Sequence, residues 1–418
     1  MESGTADGHA KRLLVLGAGP GQLGLLEAAR GRGLYVIAVD RDPSAPGFRF
    51  ADRRAIVSVE DEPAIDRLAA AERVDGVIAP GIDFPVAIAA RVARRQGIAH
   101  PLPPESALLA VSKLRQRERF AHAGVPHAGY ELCSTLDEAL VAAARLGYPC
   151  VVKAPDRQGQ KGLALVGDED ELAVAFRHAF AEARSSTVLV EERVGERELT
   201  VNAFSVGGLF HPLSVTDRIV AEPPAFGVAL AHVWPSEVAS EAIDAAVEVA
   251  RAAAEALGVL DGPTYTQVLL GPEGAVVGEL AARLGGGHDA ELCEAATGVD
   301  LNELAVAAAL GEELSHDDLS QGTVVAGGAC IRFLVPAPGL LEAVEGVDEA
   351  EESEGVVWVR VYREPGHEFE SFRRGSDRAG AVLAIGESRQ EALERAGRAA
   401  ERIRFVTADA EALVHNPP

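Results

Sequence analysis

The chain has 418 residues, 48% hydrophobic and 25% charged, an ordinary composition for soluble globular protein and enough length for two to four structural units. Its formal net charge of −25 argues against nucleic acid or an anionic membrane as main partner, while leaving room for local basic pockets that hold small anions. Cys133, Cys150, Cys293 and Cys330 lack metal-ligand spacing and read as reduced thiols; with no apolar signal core and no membrane-length apolar run, the expected location is cytoplasmic.

The first hundred residues alternate short apolar runs, KRLLVLG, LYVIAVD and DGVIAPG, with helix-period stretches such as QLGLLEAARGRG and FPVAIAARVARRQG. That alternation reads as βαβ units around a parallel sheet covered on both faces. GAGPGQLG follows the first strand, but its glycines at 17, 19, 21 and 24 do not reproduce G-x-G-x-x-G. A structural turn bordering a substrate site is the favoured reading there. HPLPPES then marks a domain boundary.

From Ser112 the texture changes. KLRQRERFAHAGV is expected to be a helix ending at Gly124. TLDEALVAAARLGYP is expected to be another, with Thr135 and Glu138 as a capping box and Gly147 and Pro149 as stop signals. CVVKAPDRQGQKGLALV follows as a strand and a loop. STVLVEERVG and ELTVNAFSVGG are strands, the second leading into a Gly-Gly turn, and SEAIDAAVEVARAAAEALG is a long helix. YTQVLLGPEGAVVGELAARLGGG reads as two strands joined at GPEG. GVVWVRVY and GAVLAIG have strand character, and SRQEALERAGRAAERIRF opens with a second capping box, Ser388 with Glu391.

Only four of the 39 basic Lys and Arg residues are lysines, at positions 11, 113, 153 and 161. Two sit in the one stretch VVKAPDRQGQKG, where Lys153 ends a strand and Gly159 and Gly162 let a loop fold close over a ligand. Lysine is a compact charge on a flexible stem and suits phosphate oxygens. A hairpin with solvated lysines is the alternative reading. Downstream, Glu191, Glu192 and Glu198 surround a strand end and a turn. Gln267 and Glu279 fall on adjacent antiparallel strands, where oxygen ligands can jointly hold magnesium. Arg283 lies four residues beyond Glu279, within reach of the same place.

The order Lys113, Lys153, glycine loop, EERV, a later glutamate, then Q…ELAAR and a glycine run resembles the ATP-grasp superfamily over essentially the whole chain. The resemblance implies an α/β fold in four parts: a pre-ATP-grasp parallel-sheet domain (1–111), an ATP-grasp small lobe (112–190) with a phosphate loop at 155–162, a large lobe (191–320), and a small C-terminal α+β domain (321–418) packed on that core. It implies that Lys113 and Lys153 contact ATP phosphates beneath a loop carrying Gly159, Lys161 and Gly162. Glu191 would lie near the exocyclic amine of adenine, the backbone of Glu192 and Val194 beneath the ring, and Glu198 at the ribose. Gln267 and Glu279 would hold Mg2+, with Mn2+ as the alternative ion, and Arg283 would stabilise an acyl phosphate. Two departures stand out. Ala281 occupies a position where members commonly place a liganding asparagine, and Gln267 replaces a glutamate.

E-x-A-x-R before a glycine run is similar to the L-amino-acid (dipeptide) ligases, as is the position of His232 ahead of the metal strand. For His232, a polar residue satisfied at a strand end is the alternative to substrate binding. The resemblance therefore implies a ligase that takes a small-molecule carboxylate and an amine, joins them through an acyl phosphate and releases ADP and phosphate; it is compatible with a homodimer. A purine-pathway ATP-grasp enzyme, a nicotinamide oxidoreductase resting on GAGPGQLG and Asp40, and a non-catalytic nucleotide sensor are the other readings.

Overall fold

The computed structural model describes residues 10–157, 159–320 and 324–408; Gln158 of the expected phosphate loop and the ends of the expected outer domains lie outside the described residues. The first unit comprises β1 (Arg12–Leu16), α1 (Leu23–Gly31), β2 (Tyr35–Asp40), β3 (Arg53–Ile56), α2 (Glu62–Glu72), β4 (Gly76–Ile78), α3 (Phe84–Gln96) and α4 (Pro104–Ala110). Its sheet runs β3-β2-β1-β4, all parallel. β1 is buried along Leu13–Leu16, as a strand covered on both faces must be. β3 and α2 went unread in the sequence. β3 is an edge strand whose Arg53 and Arg54 are exposed, so it carries no apolar signal.

The small lobe follows: α5 (Lys113–Ala123), β5 (Tyr130–Cys133), α6 (Leu136–Leu146), β6 (Cys150–Lys153), β7 (Ala164–Val166), α7 (Glu169–Glu182) and β8 (Val188–Glu192). Its antiparallel sheet has the order β5-β8-β6-β7, and α6 and α7 close one face over a separate apolar cluster that includes Val152, Val190 and Phe176. Gly124 ends α5 in the left-handed conformation, and Thr135 with Glu138 forms a reciprocal capping box on α6.

The remaining elements are β9 (Arg197–Val206), β10 (Leu209–Val220), β11 (Ala229–Trp234), α8 (Ser240–Ala256), β12 (Gly262–Gly271), β13 (Gly274–Ala281), α9 (Asp289–Thr297), α10 (Leu301–Ala309) and α11 (His316–Ser320). After them come β14 (Gly328–Leu334), β15 (Gly339–Glu345), α12 (Val347–Glu351), β16 (Val356–Val361), β17 (Glu368–Phe369), β18 (Gly380–Gly386), α13 (Arg389–Arg402) and β19 (Arg404–Ala408). One antiparallel sheet of eight strands carries most of them, in the order β13-β12-β9-β10-β11-β14-β18-β16, and β17-β15-β19 forms a small satellite sheet.

Two expected boundaries are corrected by this pairing. The division at 190/191 cuts β8, whose alternating Val188 and Val190 bury in the small-lobe cluster, so Glu191 and Glu192 belong to the small lobe's sheet. The division at 320/321 separates strands of a single sheet: β11 would otherwise present an unpaired edge, and β14 fills it. A third correction concerns Ser388. Its hydroxyl does accept from the Glu391 N–H, but the Glu391 carboxylate accepts from the N–H of Glu387 rather than completing the box. Among the described residues no helix is long and apolar enough to cross a membrane.

The first unit and the large sheet share one apolar core. Ile88, Leu102 and Ala107 pack in the same cluster as Leu257, Val268, Val277 and Leu280. The small lobe's sheet keeps its own core, whereas α5 packs Phe120 into the platform and bonds to β13 through Gln116 and Arg117, so the cleft lies between the platform and a roof anchored to it by α5.

Candidate active site

A cavity of about 970 Å³ fills that cleft, large enough for a nucleotide and a second small molecule. Of the residues expected at a site, Lys113, Lys153, Gly159, Lys161, Glu191, Glu192, Val194, Glu198, His232, Gln267, Glu279 and Arg283 all line it. Gly162 does not. Its backbone instead lies against α7, where a Cβ would stand 3.1 Å from the Cα of Ala179, so this glycine serves packing of the loop on the helix.

Strand pairing explains how distant residues converge. Gln267 on β12 and Glu279 on β13 are direct cross-strand partners and so project from the same face. Tyr265, Gln267 and Leu269 alternate along β12 with every second side chain on the cavity wall. Behind β13, the buried Gln116 amide donates to Leu280 O at 2.8 Å and accepts from Leu280 N at 3.0 Å, bracing the strand that carries Glu279.

The roof residues form an ionic chain. Lys153 Nζ is 2.6 Å from Glu191 Oε2, and Arg117, itself 1% exposed, donates to Glu191 Oε1 at 2.9 Å and to Gly278 O at 2.6 Å. Burial pushes the Glu191 carboxyl up, but Arg117 and Lys153 together outweigh it and leave the group below the usual carboxylate range. Burial lowers Lys153, with Glu191 acting against it. The Glu191 carboxylate is thus engaged by two cations. Lys113 Nζ lies 2.8 Å from both Glu279 Oε1 and Arg157 O. Glu279 is held below its ordinary range: burial would raise it, and Lys113 more than offsets that.

Among the described residues no cluster of three or more His, Cys, Asp or Glu is arranged to hold a metal. Glu279 and Gln267 nonetheless offer a carboxylate and an amide oxygen on one face, hard donors of the kind magnesium takes alongside phosphate oxygens.

The far end of the cavity was only partly foreseen. Arg283 donates through Nε to Asp83 Oδ1 at 2.6 Å, linking the chain just after β13 to the first unit. Arg218 pairs with Glu198 and donates to Gly227 O at 3.0 Å. It is the cross-strand partner of His232, whose Nδ1 lies 3.2 Å from Asp289 Oδ1. The GAGPGQLG turn does border this end. Gly21, Gly81 and Gly286 touch backbone to backbone, and a Cβ on any of them would approach a carbonyl oxygen of the next at 2.9–3.0 Å.

Asp289 yields a prediction. Burial, chiefly, pushes its carboxyl up to about 6, with Arg218 pulling the other way, from an ordinary value of 3.8. The native protein therefore holds this proton more tightly than the unfolded chain does. Keeping Asp289 ionised at neutral pH costs about 3 kcal/mol, a cost that disappears as pH falls through 6 toward 4. Asp289→Asn is expected to raise resistance to urea at pH 7.5 and to lose that advantage near pH 4. A lower midpoint at pH 7.5 would contradict it.

The comparisons with known proteins agree with this arrangement. Residues 113–317 match the family described as the carbamoyl-phosphate synthase L chain ATP-binding domain, and residues 332–408 match the L-amino acid ligase C-terminal domain 2. A formate-dependent phosphoribosylglycinamide formyltransferase of Burkholderia pseudomallei is 29% identical over 415 residues, 96% of each chain. An L-amino acid ligase from Bacillus licheniformis superposes with a TM-score of 0.81 at 21% identity, over 96% of this chain and 99% of that one. A biotin carboxylase domain from Hydrogenobacter thermophilus, solved with MgADP and bicarbonate, superposes with a TM-score of 0.76 at 19% identity, over 95% and 91% of the two chains. Matched by these two family models over residues 113–317 and 332–408, about two thirds of its length between them, the chain belongs to the ATP-grasp carboxylate–amine ligase family.

Proposed function

We propose that the protein is an ATP-dependent ligase that activates a carboxylate as an acyl phosphate and joins it to an amine, with amino acids or close analogues as substrates. The observation that carries this reading is the single cavity in which Lys113 and Lys153 face the Gln267–Glu279 pair, with Arg283 beyond them. The lysines supply point charges for ATP phosphates. The Glu192–Val194 segment underlies the base, and the Glu198 oxygen left over from Arg218 takes a ribose hydroxyl. Magnesium bound by Glu279 and Gln267 would screen phosphate charge.

Chemically, a carboxylate oxygen attacks the γ-phosphorus and ADP leaves, giving an acyl phosphate. The neutral amine then attacks the acyl carbon. The C–N bond forms, the C–O bond to phosphate breaks, phosphate leaves with the electron pair, and the nitrogen loses a proton. Arg283 is placed to stabilise the oxyanion as it develops, where fixed charge is most effective. A free α-amino group has a pKa of about 8, so a small environmental effect suffices to keep it neutral.

The test is ADP and phosphate release from Mg-ATP with pooled amino acids, against Glu279→Ala as control. Release that requires both the amino acids and Glu279 supports the reading, and no ATP binding sinks it. A purine-pathway reading is favoured by the full-length similarity to the Burkholderia formyltransferase. Turnover with formate and phosphoribosylglycinamide but not with amino acids would establish it instead. ATP binding without turnover on any substrate would favour a sensor, for which Gln267 and Ala281 are the sequence grounds.

A further inference from the structure

The cavity wall contains a conspicuous imbalance of charge. Among the described residues, Arg157, Arg193, Arg197, Arg218, Arg283 and Arg389 all line it, and each pairs with a Glu or Asp carboxylate. Arg378, also on the wall, has no carboxylate partner among those residues. Its guanidinium lies 3.7 Å above the Phe333 ring, Nη2 donates to Ala229 O at 2.6 Å, and Nε is buried without a partner. The fork is therefore fixed in orientation but lacks a counter-charge. Burial, and then Arg218, work against its positive charge, a cost that an anion entering the cavity would relieve. A planar carboxylate fits such a fork.

On the same Phe333 ring, with centroids 5.9 Å apart, stands His232. Asp289 lies 3.2 Å from its Nδ1, and its Nε2 edge is beside Gly287 on the cavity wall, where a Cβ would come within 3.1 Å. Among the described residues, Nδ1 and both Asp289 carboxylate oxygens are buried without a hydrogen-bond partner, so an ionised Asp289 is the acceptor at hand for a proton on Nδ1, and that tautomer puts the lone pair on Nε2. A lone pair and an unpaired guanidinium side by side complement an amine and a carboxylate on one small molecule.

We propose that the attacking amine is the α-amino group of a free amino acid, its carboxylate docked on Arg378 and its nitrogen beside Nε2 of His232. This rests on the ligase reading. As the C–N bond forms and the C–O bond to phosphate breaks, the nitrogen's proton passes to His232, and phosphate leaves with the electron pair. Asp289 is a positioning residue that holds the histidine in its accepting tautomer.

The test is a competition in one vessel containing Mg-ATP, the twenty amino acids and hydroxylamine, with dipeptides and hydroxamates resolved by mass spectrometry. Hydroxylamine intercepts the activated acid but offers Arg378 no carboxylate. Arg378→Met is expected to shift the product ratio toward hydroxamate by about 10- to 100-fold, the range for one charged hydrogen-bonded contact, and Arg378→Lys to restore part of it. Asp289→Asn should lower kcat for dipeptide formation more than it raises the amino-acid KM. An unchanged ratio in Arg378→Met, or a pure KM effect in Asp289→Asn, overturns the assignment. Absence of both products from the wild-type protein overturns the underlying ligase reading, so the two failures are separate. The wild-type protein also allows a test that needs no variant. Amino acid amides at equal concentration should be incorporated about 10- to 100-fold less than free amino acids, and equal incorporation overturns the proposal. Preferential consumption of phosphoethanolamine would show that Arg378 receives a phosphate and would likewise overturn it.

Discussion

Lys153→Met is expected to reduce ADP formation by about 10²- to 10³-fold, the scale of removing one charge fixed at a reacting phosphate. The side chain leaves the end of β6, is only 14% exposed, and is held at 2.6 Å by Glu191. Its ammonium is thus already oriented before the nucleotide arrives, and little reorganisation remains for the reaction step. Methionine keeps the bulk of the stem and removes the charge. Lys153→Arg should not rescue, because a wider guanidinium would have to fit against Glu191, whose other oxygen already receives Arg117. Steady-state ADP release with an ATP titration decides the matter. A kcat near wild type in Lys153→Met would remove Lys153 from the phosphate site, and one in Lys153→Arg would contradict the steric argument against the guanidinium.

Arg117→Met should bring the largest loss of stability, about 3–5 kcal/mol, with the small lobe losing its order first. Glu191 is 5% exposed and relies on two cations. Without Arg117, a buried carboxylate faces only Lys153, and Gly278 O on β13 loses its donor. The carboxyl then moves up toward protonation, since burial already pushes it in that direction. Adding Glu191→Gln to Arg117→Met should recover part of the loss, because the remaining group is neutral. Urea unfolding of the single and double variants measures both effects, and a midpoint for Arg117→Met within error of wild type would contradict the account.

That Lys113, Lys153, Glu191, Gln267 and Glu279 meet at one cavity was legible in the sequence because these residues sit in local patterns. Two of four lysines stand within one strand and loop, EERV follows at a strand end, and Gln267 and Glu279 flank a short turn that sets their register. Arg117 and Gln116 were half legible. They lie three and four residues after Lys113, which places them on the same helix face, but helix spacing alone does not reveal that the face is buried. Arg378 and Asp289 gave no signal. Arg378 sits in a loop before β18, and it reaches the site only because β18 pairs with β14 and β14 with β11, contacts that span about 150 residues of sequence, as the Arg378–Ala229 hydrogen bond shows. The same non-local pairing explains why the last segment was expected to be a separate domain. Its strands look complete by themselves, and only the free edge of β11 shows where they belong.

That edge has an evolutionary consequence. Lys113, Lys153, Gln267, Glu279 and Arg283 come to the cavity from residues 113–283, whereas Arg378 and Arg389 come from the segment that supplies β14, β16 and β18. The backbone ladder between β11 and β14 joins the two, and the Arg389–Asp217 and Arg378–Ala229 contacts reinforce it. Changes in the outer strands and their loops can therefore reshape the Arg378 margin of the cavity while Lys113, Lys153, Gln267 and Glu279 stay in place. The first unit is less free to vary, because where it meets the cleft through Gly21 and Gly81 it presents bare backbone to Gly286. Diversity of substrates in such a molecule is expected to accumulate at one margin of the sheet and to be nearly silent at the glycine seam.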